Sequence, residues 1–143
     1  MKHDERLAHI TKEAWRAFVR ALQSRLAAHG VPFGHWTFLR VLWEEDGITQ
    51  RALSEAAGVM EPSTAAAIRA MENLGYVTRR QTAGNRKNIY VHLTAKGRGL
   101  KAKLEPLAEE VNAIAVRGAP AGELAATRRT LLLVVENLNK LKR

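Results

Sequence analysis

The sequence contains no cysteine, and this absence removes several kinds of chemistry at once. Without thiols the chain cannot form disulfide bonds, use a thiolate as a nucleophile, sense oxidants through sulfur or hold a metal with cysteine ligands. Any response to a chemical signal must therefore use other side chains.

Long apolar runs are also missing from the sequence. No segment approaches the length of about 20 residues that a membrane helix needs. The first residues, MKHDERLAHI, carry charges of both signs and lack the apolar centre of a secretory signal. These features predict a cytoplasmic protein with no membrane partner.

Motifs of the common catalytic sites are missing as well. The chain has no glycine-rich phosphate loop and no serine in a Gly-x-Ser-x-Gly turn. His9 and Glu13 are one helical turn apart, but an exposed His/Glu pair is ordinary, and the sequence has no His-Glu-x-x-His motif. We therefore expect no enzymatic activity, no cofactor and no metal site.

Positive charge, in contrast, is in excess. The 143 residues carry a formal net charge of +9, and the pI is near 10.5. A polyanion is therefore the expected class of partner, with nucleic acid ahead of an anionic membrane surface. The excess is concentrated, because residues 73–104 contain eight Lys or Arg and no Asp or Glu. This segregation predicts a basic face.

The centre of the chain has the pattern of a helix-turn-helix. Thr49 is placed to cap a first short helix, and Gly58 suits a left-handed turn before a second one. Residues 76–81 and 88–93 then alternate as strands around the polar loop TAGNRK, which predicts a β-hairpin. Together these elements form a winged helix. The inward positions predicted for the second helix are Ala66, Ile68, Met71 and Leu74.

Longer helices flank this unit, and the predicted fold class is mainly α with a small β-hairpin wing. Apolar side chains recur every three or four positions from Leu7 to Leu26, and a later helix begins at Thr94, with Pro106 expected to bend or interrupt it. We expect one domain over residues 1–143. Its predicted parts are a winged helix-turn-helix over about residues 34–98 and dimerisation helices over about 5–30 and 99–142.

The winged helix combines two shapes that fit B-DNA. A helix about 10–12 Å wide fits the major groove, and a narrow basic loop can enter the adjoining minor groove. Ser63 and Thr64 offer hydroxyls to phosphates or bases, or else only satisfy backbone N–H groups, and Arg69 can bind guanine with two hydrogen bonds. The positions expected against DNA are Thr49, Gln50, Ser63, Thr64, Ala67, Arg69, Arg79, Arg80, Arg86 and Lys87.

Residues 47–98, GITQRALSEAAGVMEPSTAAAIRAMENLGYVTRRQTAGNRKNIYVHLTAKGR, resemble the MarR family of bacterial transcription regulators. The matching motifs are ITQ, PST, MENLGYVTR, the wing and LTAKG, and the flanking helices match the family in order and length. The resemblance implies a homodimer with intertwined terminal helices and two winged helices on a palindromic operator in double-stranded DNA. It also implies a small-molecule effector that alters the spacing of the winged helices.

The wing departs from the usual Asp-Arg-Arg of the family, because this chain has Asn85, Arg86 and Lys87. Losing the carboxylate removes an ion pair within the wing, and lysine lacks the planar fork of arginine. Either Arg86 contacts the minor groove, or the wing binds mainly phosphates; the narrow, electronegative groove favours Arg86. We also expect a wing tip that is more mobile before DNA binds.

Aromatic side chains near the start of the second helix predict a small-molecule cleft, with core packing as the alternative for these aromatics. The resemblance implies an aromatic, anionic effector, such as an aromatic acid or its thioester, that releases a repressor from DNA. The positions expected to bind this effector are Trp15, Arg16, Phe18, Phe33, His35, Trp36 and Leu39.

Two other classes of function stay open at this stage. A small-molecule-binding or structural protein could use its winged helix to coat nucleic acid without sequence preference, and a shallow specificity ratio with intact salt dependence would favour that class. An enzyme would need turnover that survives the loss of Arg69 and Arg86.

Overall fold

The computed structural model describes residues 6–141, with the backbone alone at residue 86. The ends of the flanking helices that were predicted at residues 5 and 142 lie outside this part. The helices are α1 Leu7–Ala27, α2 Phe33–Glu44, α3 Gln50–Ala57, α4 Glu61–Asn73, α5 Ala95–Gly99, α6 Lys101–Ala115 and α7 Ala121–Asn139. The strands are β1 Ile48–Thr49, β2 Val77–Thr82 and β3 Asn85–Leu93. The mainly helical fold class is confirmed.

The wing is one hairpin of a three-stranded antiparallel sheet with the order β1-β3-β2. Thr82 pairs with Asn85 at its tip, so the turn is residues 83–84 and is shorter than the predicted loop TAGNRK. β1 is absent from the predicted elements, because two residues are too few to show an alternating pattern. Ile48 pairs with Val91, and this pairing attaches the start of α3 to the wing.

Two buried hydroxyl groups fix the turn between α3 and α4. Ser54 donates to the carbonyl oxygen of Val59, and its Oγ lies 2.8 Å from Thr64 Oγ1. The Thr64 hydroxyl also donates to the carbonyl oxygen of Met60 at 3.1 Å. The prediction that Thr64 contacts DNA is therefore wrong, because its side chain is 0% exposed and its hydroxyl has partners inside the turn.

The burial of Thr64 sets the rotation of α4 about its axis. The buried positions of the helix are Thr64, Ile68 and Met71, whereas Ala66 and Leu74 of the predicted stripe are exposed. A spacing of four and then three residues keeps the three buried side chains on one face. The rest of the apolar core comes from Leu22, Leu26, Val31, Trp36, Phe38, Leu39, Leu42, Leu53, Val77, Val91, Leu93, Leu104 and Val111.

The helix predicted after Thr94 is interrupted earlier than expected. Thr94 does cap α5, since its Oγ1 accepts the N–H of Gly97 at 3.1 Å, but α5 ends at Gly99. Pro106 lies inside α6, so the interruption predicted at this proline is wrong. Glycine weakens the first segment, whereas the packing of Leu104, which is fully buried, favours helix around Pro106.

The two ends of the described chain present apolar side chains to solvent. No residue within α7 is buried, and the first half of α1 exposes Leu7, Ile10 and Trp15. The exposed large side chains on or just after α7 are Leu131, Leu132, Leu133, Val135, Leu138 and Leu141. Exposed large apolar side chains in such number are more than a monomeric surface usually carries.

Gly97 packs against the chain just after α4 with no room for a side chain. A Cβ there would overlap the carbonyl oxygen of Tyr76, whereas a Cβ at Gly99 would meet nothing within 4 Å. We expect Gly97→Ala to lower the free energy of unfolding by about 1–3 kcal/mol through overpacking. Gly99→Ala should leave it unchanged or raise it by up to about 1 kcal/mol. Urea unfolding followed by circular dichroism measures both, and equal stabilities of the two variants would contradict this packing.

Candidate nucleic-acid interface

The exposed face of α4 is formed by residues spaced three or four apart. Ser63, Ala66, Arg69 and Asn73 lie on it, away from the buried Thr64. Ser63 offers a hydroxyl near the start of the helix, and Arg69 offers a guanidinium less than two turns further on. The small Ala66 between them permits close approach of a ligand surface. Ala66 and Asn73 were not among the positions predicted to face DNA, because their exposure follows only once Thr64 is known to be buried.

The other predicted contacts on the helix-turn-helix are less accessible. Ala67 is half-buried and packs against the core. Thr49 Oγ1 accepts the N–H of Ala52 at 3.1 Å and so caps α3. Gln50 is half-buried, and its Oε1 has no hydrogen-bond donor within the described part of the chain. DNA contacts by Thr49, Gln50 and Ala67 stay predictions.

The wing carries exposed cations on both of its strands. Arg80 on β2 and Lys87 on β3 are exposed. The side chain of Arg86 lies outside the described atoms, so its contact with the minor groove stays a prediction. Asn85 Oδ1 accepts the N–H of Lys87 at 3.2 Å. A neutral amide therefore supports the tip where the family has a carboxylate, and Asn85 does not offset the charge of Lys87.

Arg79, which was expected against DNA, is paired within the protein. Its Nε donates to Glu72 Oε1 at 3.2 Å, and its Nη2 lies 3.1 Å from the same oxygen. Glu72 belongs to the last turn of α4 and Arg79 to β2, so the ion pair joins the helix to the wing. Arg79 therefore positions the wing against α4, and its contact with DNA stays a prediction.

Two more cations of the basic stretch hold α5 in place. Lys96 Nζ donates to the carbonyl oxygen of Leu74 at 2.9 Å and lies 5.0 Å from the ring centroid of Tyr76. Arg98 Nη1 donates to the carbonyl oxygen of Leu93 at 3.0 Å. Lys96 thus satisfies a carbonyl at the C-cap of α4, as cationic side chains commonly do at helix ends, and Arg98 satisfies the last carbonyl of β3. These two residues therefore do more than solvate a helix face.

A cleft of about 310 Å³ opens between α1, α2 and α6. The rings of Trp15 and Phe33 meet edge to face in its wall, with centroids 5.9 Å apart, and Arg40 and Asn112 supply its polar side. An apolar cleft with few polar groups suits an aromatic ligand that bears one anionic group. The described lining is Trp15, Phe18, Val19, Leu22, Phe33, Trp36, Thr37, Arg40, Ala108, Val111 and Asn112.

Three residues predicted to bind a ligand are not among the described lining residues. Leu39 is fully buried in the core, and exposed Arg16 lies 3.6 Å from a glutamate one turn away on α1. Desolvation by burial lowers the pKa of His35, so its imidazole is neutral at pH 7 and offers no charge to an anion. Arg40 is the cation among the described lining residues, and its position one turn after Trp36 on α2 is the sequence signal that could have found it.

The described residues contain neither a metal-ligand cluster nor a membrane-spanning helix. Within residues 6–141, no three or more His, Cys, Asp or Glu side chains are grouped so that they could hold a metal ion. No helix in that range combines the length and the apolarity needed to cross a membrane.

A family model and a related sequence match this arrangement. The model described as MarR family matches residues 34–89, from α2 into β3. The HTH-type transcriptional regulator TtmR of Methylorubrum extorquens (strain PA1) is 30% identical over 129 residues, or 90% of this chain. The chain belongs to the MarR family. It spans 63% of the length of TtmR.

Solved structures extend the MarR likeness to almost the whole chain. A MarR transcriptional regulator from Methanosarcina mazei Go1 matches 99% of this chain and 94% of its own, with a TM-score of 0.86 and 24% identity. The transcriptional regulator PA3341 matches 94% of this chain and 99% of its own, with a TM-score of 0.84 and 28% identity. The helices that flank the matched region are therefore part of the same fold.

Two further proteins with the MarR-like fold are associated with small aromatic molecules. CouR from Rhodococcus jostii RHA1, bound to p-coumaroyl-CoA, covers 92% of both chains with a TM-score of 0.80 and 17% identity. BpsR of Bordetella bronchiseptica, whose DNA binding is regulated by 6-hydroxynicotinic acid, covers 95% of this chain and 98% of its own, with a TM-score of 0.84 and 17% identity. At these identities the likeness is one of fold.

The ion pair between Glu72 and Arg79 predicts that removing the Glu72 carboxylate changes DNA affinity in the direction opposite to that expected from net charge alone. Removing a carboxylate near a basic face should ordinarily tighten binding to a polyanion. We expect Glu72→Gln to weaken duplex binding instead, by about fivefold, the equivalent of about 1 kcal/mol for a partly exposed pair, because Arg79 no longer fixes the wing against α4. Fluorescence anisotropy with a labelled duplex measures the change.

The matched control for this variant is Glu55→Gln, which removes the same charge from α3. Glu55 pairs with exposed Arg51 on its own helix at 3.7 Å and does not join two elements through that pair. This control should leave affinity unchanged or raise it slightly. Tighter DNA binding by Glu72→Gln would contradict the positioning role.

Proposed function

We propose that this MarR protein is a dimeric, sequence-specific DNA-binding regulator of transcription, and a repressor that a small aromatic anion releases from its operator. The exposed face of α4 carries the proposal. Ser63 and Arg69 lie on that face, and α4 packs against the wing strand β2, whose exposed Arg80 adds positive charge. Hydrogen-bonding side chains on a helix beside a basic hairpin match the two grooves of B-DNA.

In this arrangement α4 enters the major groove with its exposed face, which carries Ser63 and Arg69, against the bases. Arg69 can donate two hydrogen bonds to O6 and N7 of guanine, which is the commonest specific contact in that groove. Ser63 is placed for a phosphate or a base edge near the helix start. The wing then lies over the adjoining minor groove, where Arg86 is the candidate for insertion and Lys87 contacts phosphates.

The apolar surfaces of α1 and α7 support a homodimer. Large side chains such as Trp15, Leu132 and Leu138 are more than half exposed in the single chain, and a second copy would cover them through the same surfaces by two-fold symmetry. A two-fold dimer presents two copies of α4 to successive major grooves. Its operator is then an inverted repeat with half-sites about one helical turn apart.

The cleft between α1, α2 and α6 supports control by an effector. Its aromatic wall and Arg40 suit an aromatic acid or the acyl part of its thioester, and CouR and BpsR show that proteins of this fold are associated with such molecules. The cleft separates the candidate dimerisation helices α1 and α6 from α2 of the DNA-binding lobe. A ligand that fits only one spacing of these helices shifts the population towards that spacing.

The stoichiometry and the salt dependence of DNA binding test the regulator itself. Titration of a duplex from the gene's own upstream region should give two chains per duplex at saturation. Affinity should fall steeply with salt, because phosphate contacts release counterions. One chain per duplex, or equal affinity for random DNA, would overturn the proposal; equal affinity with an intact salt dependence would indicate a protein that coats nucleic acid.

Two charge deletions should separate base contacts from phosphate contacts. Arg69→Ala should weaken the binding free energy for the preferred duplex by about 1–3 kcal/mol and change that for random DNA little. Lys87→Ala should weaken both duplexes alike and reduce the salt slope by about 2 for a dimer. Competition binding at several salt concentrations measures both effects. A change of base preference in Lys87→Ala with none in Arg69→Ala would reverse our assignment.

Arg40 should be the charged contact of the effector. A thermal-shift screen of salicylate, 6-hydroxynicotinate and p-coumaroyl-CoA should find a compound that raises the melting temperature of the protein. Arg40→Gln should lower the affinity for that compound by at least about tenfold, since a charged hydrogen bond contributes about 1.5–3 kcal/mol. Arg16→Gln is the matched control away from the cleft lining. Equal losses in the two variants would contradict the assignment.

A further inference from the structure

Trp43 joins two parts of the molecule through one hydrogen bond. It lies on the last turn of α2, is half-buried, and its indole Nε1–H donates to the carbonyl oxygen of Gly97 in α5 at 3.0 Å. Tryptophan can donate only through this group, so its ring position is tied to the position of α5. The bond therefore links the end of α2 to the helix that follows the wing.

The ring of Trp43 also contacts an aromatic residue that lines the cleft. The rings of Trp36 and Trp43 meet edge to face, with centroids 5.6 Å apart and an interplanar angle of 69°. Trp36 is 6% exposed and lines the cleft. Interiors are close-packed, so a ligand that displaces the Trp36 ring must also displace the ring behind it.

The residues just before Gly97 are hydrogen-bonded to the C-cap of α4 and to the two residues that follow it. Thr94 Oγ1 donates to the carbonyl oxygen of Gly75 at 2.6 Å, and the Thr94 N–H donates to that of Tyr76 at 3.0 Å. Lys96 adds its bond to the carbonyl oxygen at the C-cap of α4. Because Gly97 has no free space towards Tyr76, α5 cannot move closer to the turn that follows α4 without displacing that turn.

We propose that Trp43 is the positioning residue that couples an occupant of the aromatic cleft to the orientation of α4. The series of contacts runs from Trp36 through the Trp43 ring to Gly97 and then to the C-terminal end of α4. An occupant that moves the Trp36 ring changes the bond from Trp43 to α5 and so tilts the helix that faces DNA. This inference rests on the proposed function and names the residue that carries its regulation.

A tethered occupant tests this coupling without knowledge of the effector. Thr37 lines the cleft one helical position after Trp36, so Thr37→Phe places an aromatic ring in it. We expect Thr37→Phe to weaken duplex binding by at least about tenfold, within the usual range of coupling between two sites. Trp43→Phe keeps a ring beside Trp36 but removes the N–H donor. In the Trp43→Phe background, the effect of Thr37→Phe should fall below about threefold.

Trp15→Phe is the matched control for this double-mutant cycle. Trp15 also lines the cleft but contacts Phe33 and has no bond to α5. The tenfold effect of Thr37→Phe should therefore persist in the Trp15→Phe background. Equal effects of Thr37→Phe in the Trp43→Phe and wild-type backgrounds would show that Trp43 is only a packing residue and would overturn the inference.

Amide hydrogen exchange tests the same coupling without DNA. The N–H of Tyr76 donates to Met71 at the end of α4, that of Thr94 donates to Tyr76, and that of Gly97 donates to the Thr94 cap of α5, so the three amides report on the two segments and on the bond between them. Thr37→Phe should accelerate their exchange by at least about fivefold when Trp43 is present, and not when it is phenylalanine. Unchanged exchange in folded Thr37→Phe would overturn the inference. If the wild-type protein binds no DNA, the proposed function fails, while this measurement still decides the role of Trp43.

Discussion

The carbonyl groups of residues 74–76, the C-cap of α4 and the two residues after it, are the point on which the DNA-binding face depends. Backbone carbonyl groups that pack against another segment need hydrogen-bond donors. Here Lys96 donates to Leu74, and Thr94 donates to both Gly75 and Tyr76, so the chain that leaves the wing returns to the helix that precedes it. These bonds make α4, the wing and α5 one unit, and a change imposed on α5 is transmitted to α4.

The basic stretch of residues 73–104 therefore serves two purposes. Arg79, Lys96 and Arg98 have acceptors within the protein and fix the geometry of the unit. Arg80 and Lys87 remain exposed and supply positive charge to the surface beside α4. Only Arg79 is paired with a carboxylate, so only its field is largely cancelled at a distance, whereas Lys96 and Arg98 donate to uncharged carbonyl groups and keep their positive charge. A count of basic residues alone cannot separate these two groups.

Most of the element order could be predicted from local chemistry in the sequence. The Thr49 cap and the Gly58 turn need only their nearest neighbours along the chain, which is why the helix-turn-helix is where the sequence predicts it. The hairpin is also predicted, although its turn is shorter than the predicted loop. The burial of Thr64 depends on Ser54 across the turn. The partner of Arg79 likewise requires distant segments to be placed first, whereas the spacing of Arg40 from Trp36 on α2 was a local signal that could have predicted its place in the cleft.

The exposed face of α4 should decide which DNA sequences the protein prefers. Selection from a randomised duplex library, followed by sequencing of the bound fraction, measures this preference directly. We expect enrichment of an inverted repeat whose half-site centres are about 10 base pairs apart, because a two-fold dimer places its two helices in successive major grooves. Enrichment of no sequence, or of a single site without two-fold symmetry, would contradict this account of the protein.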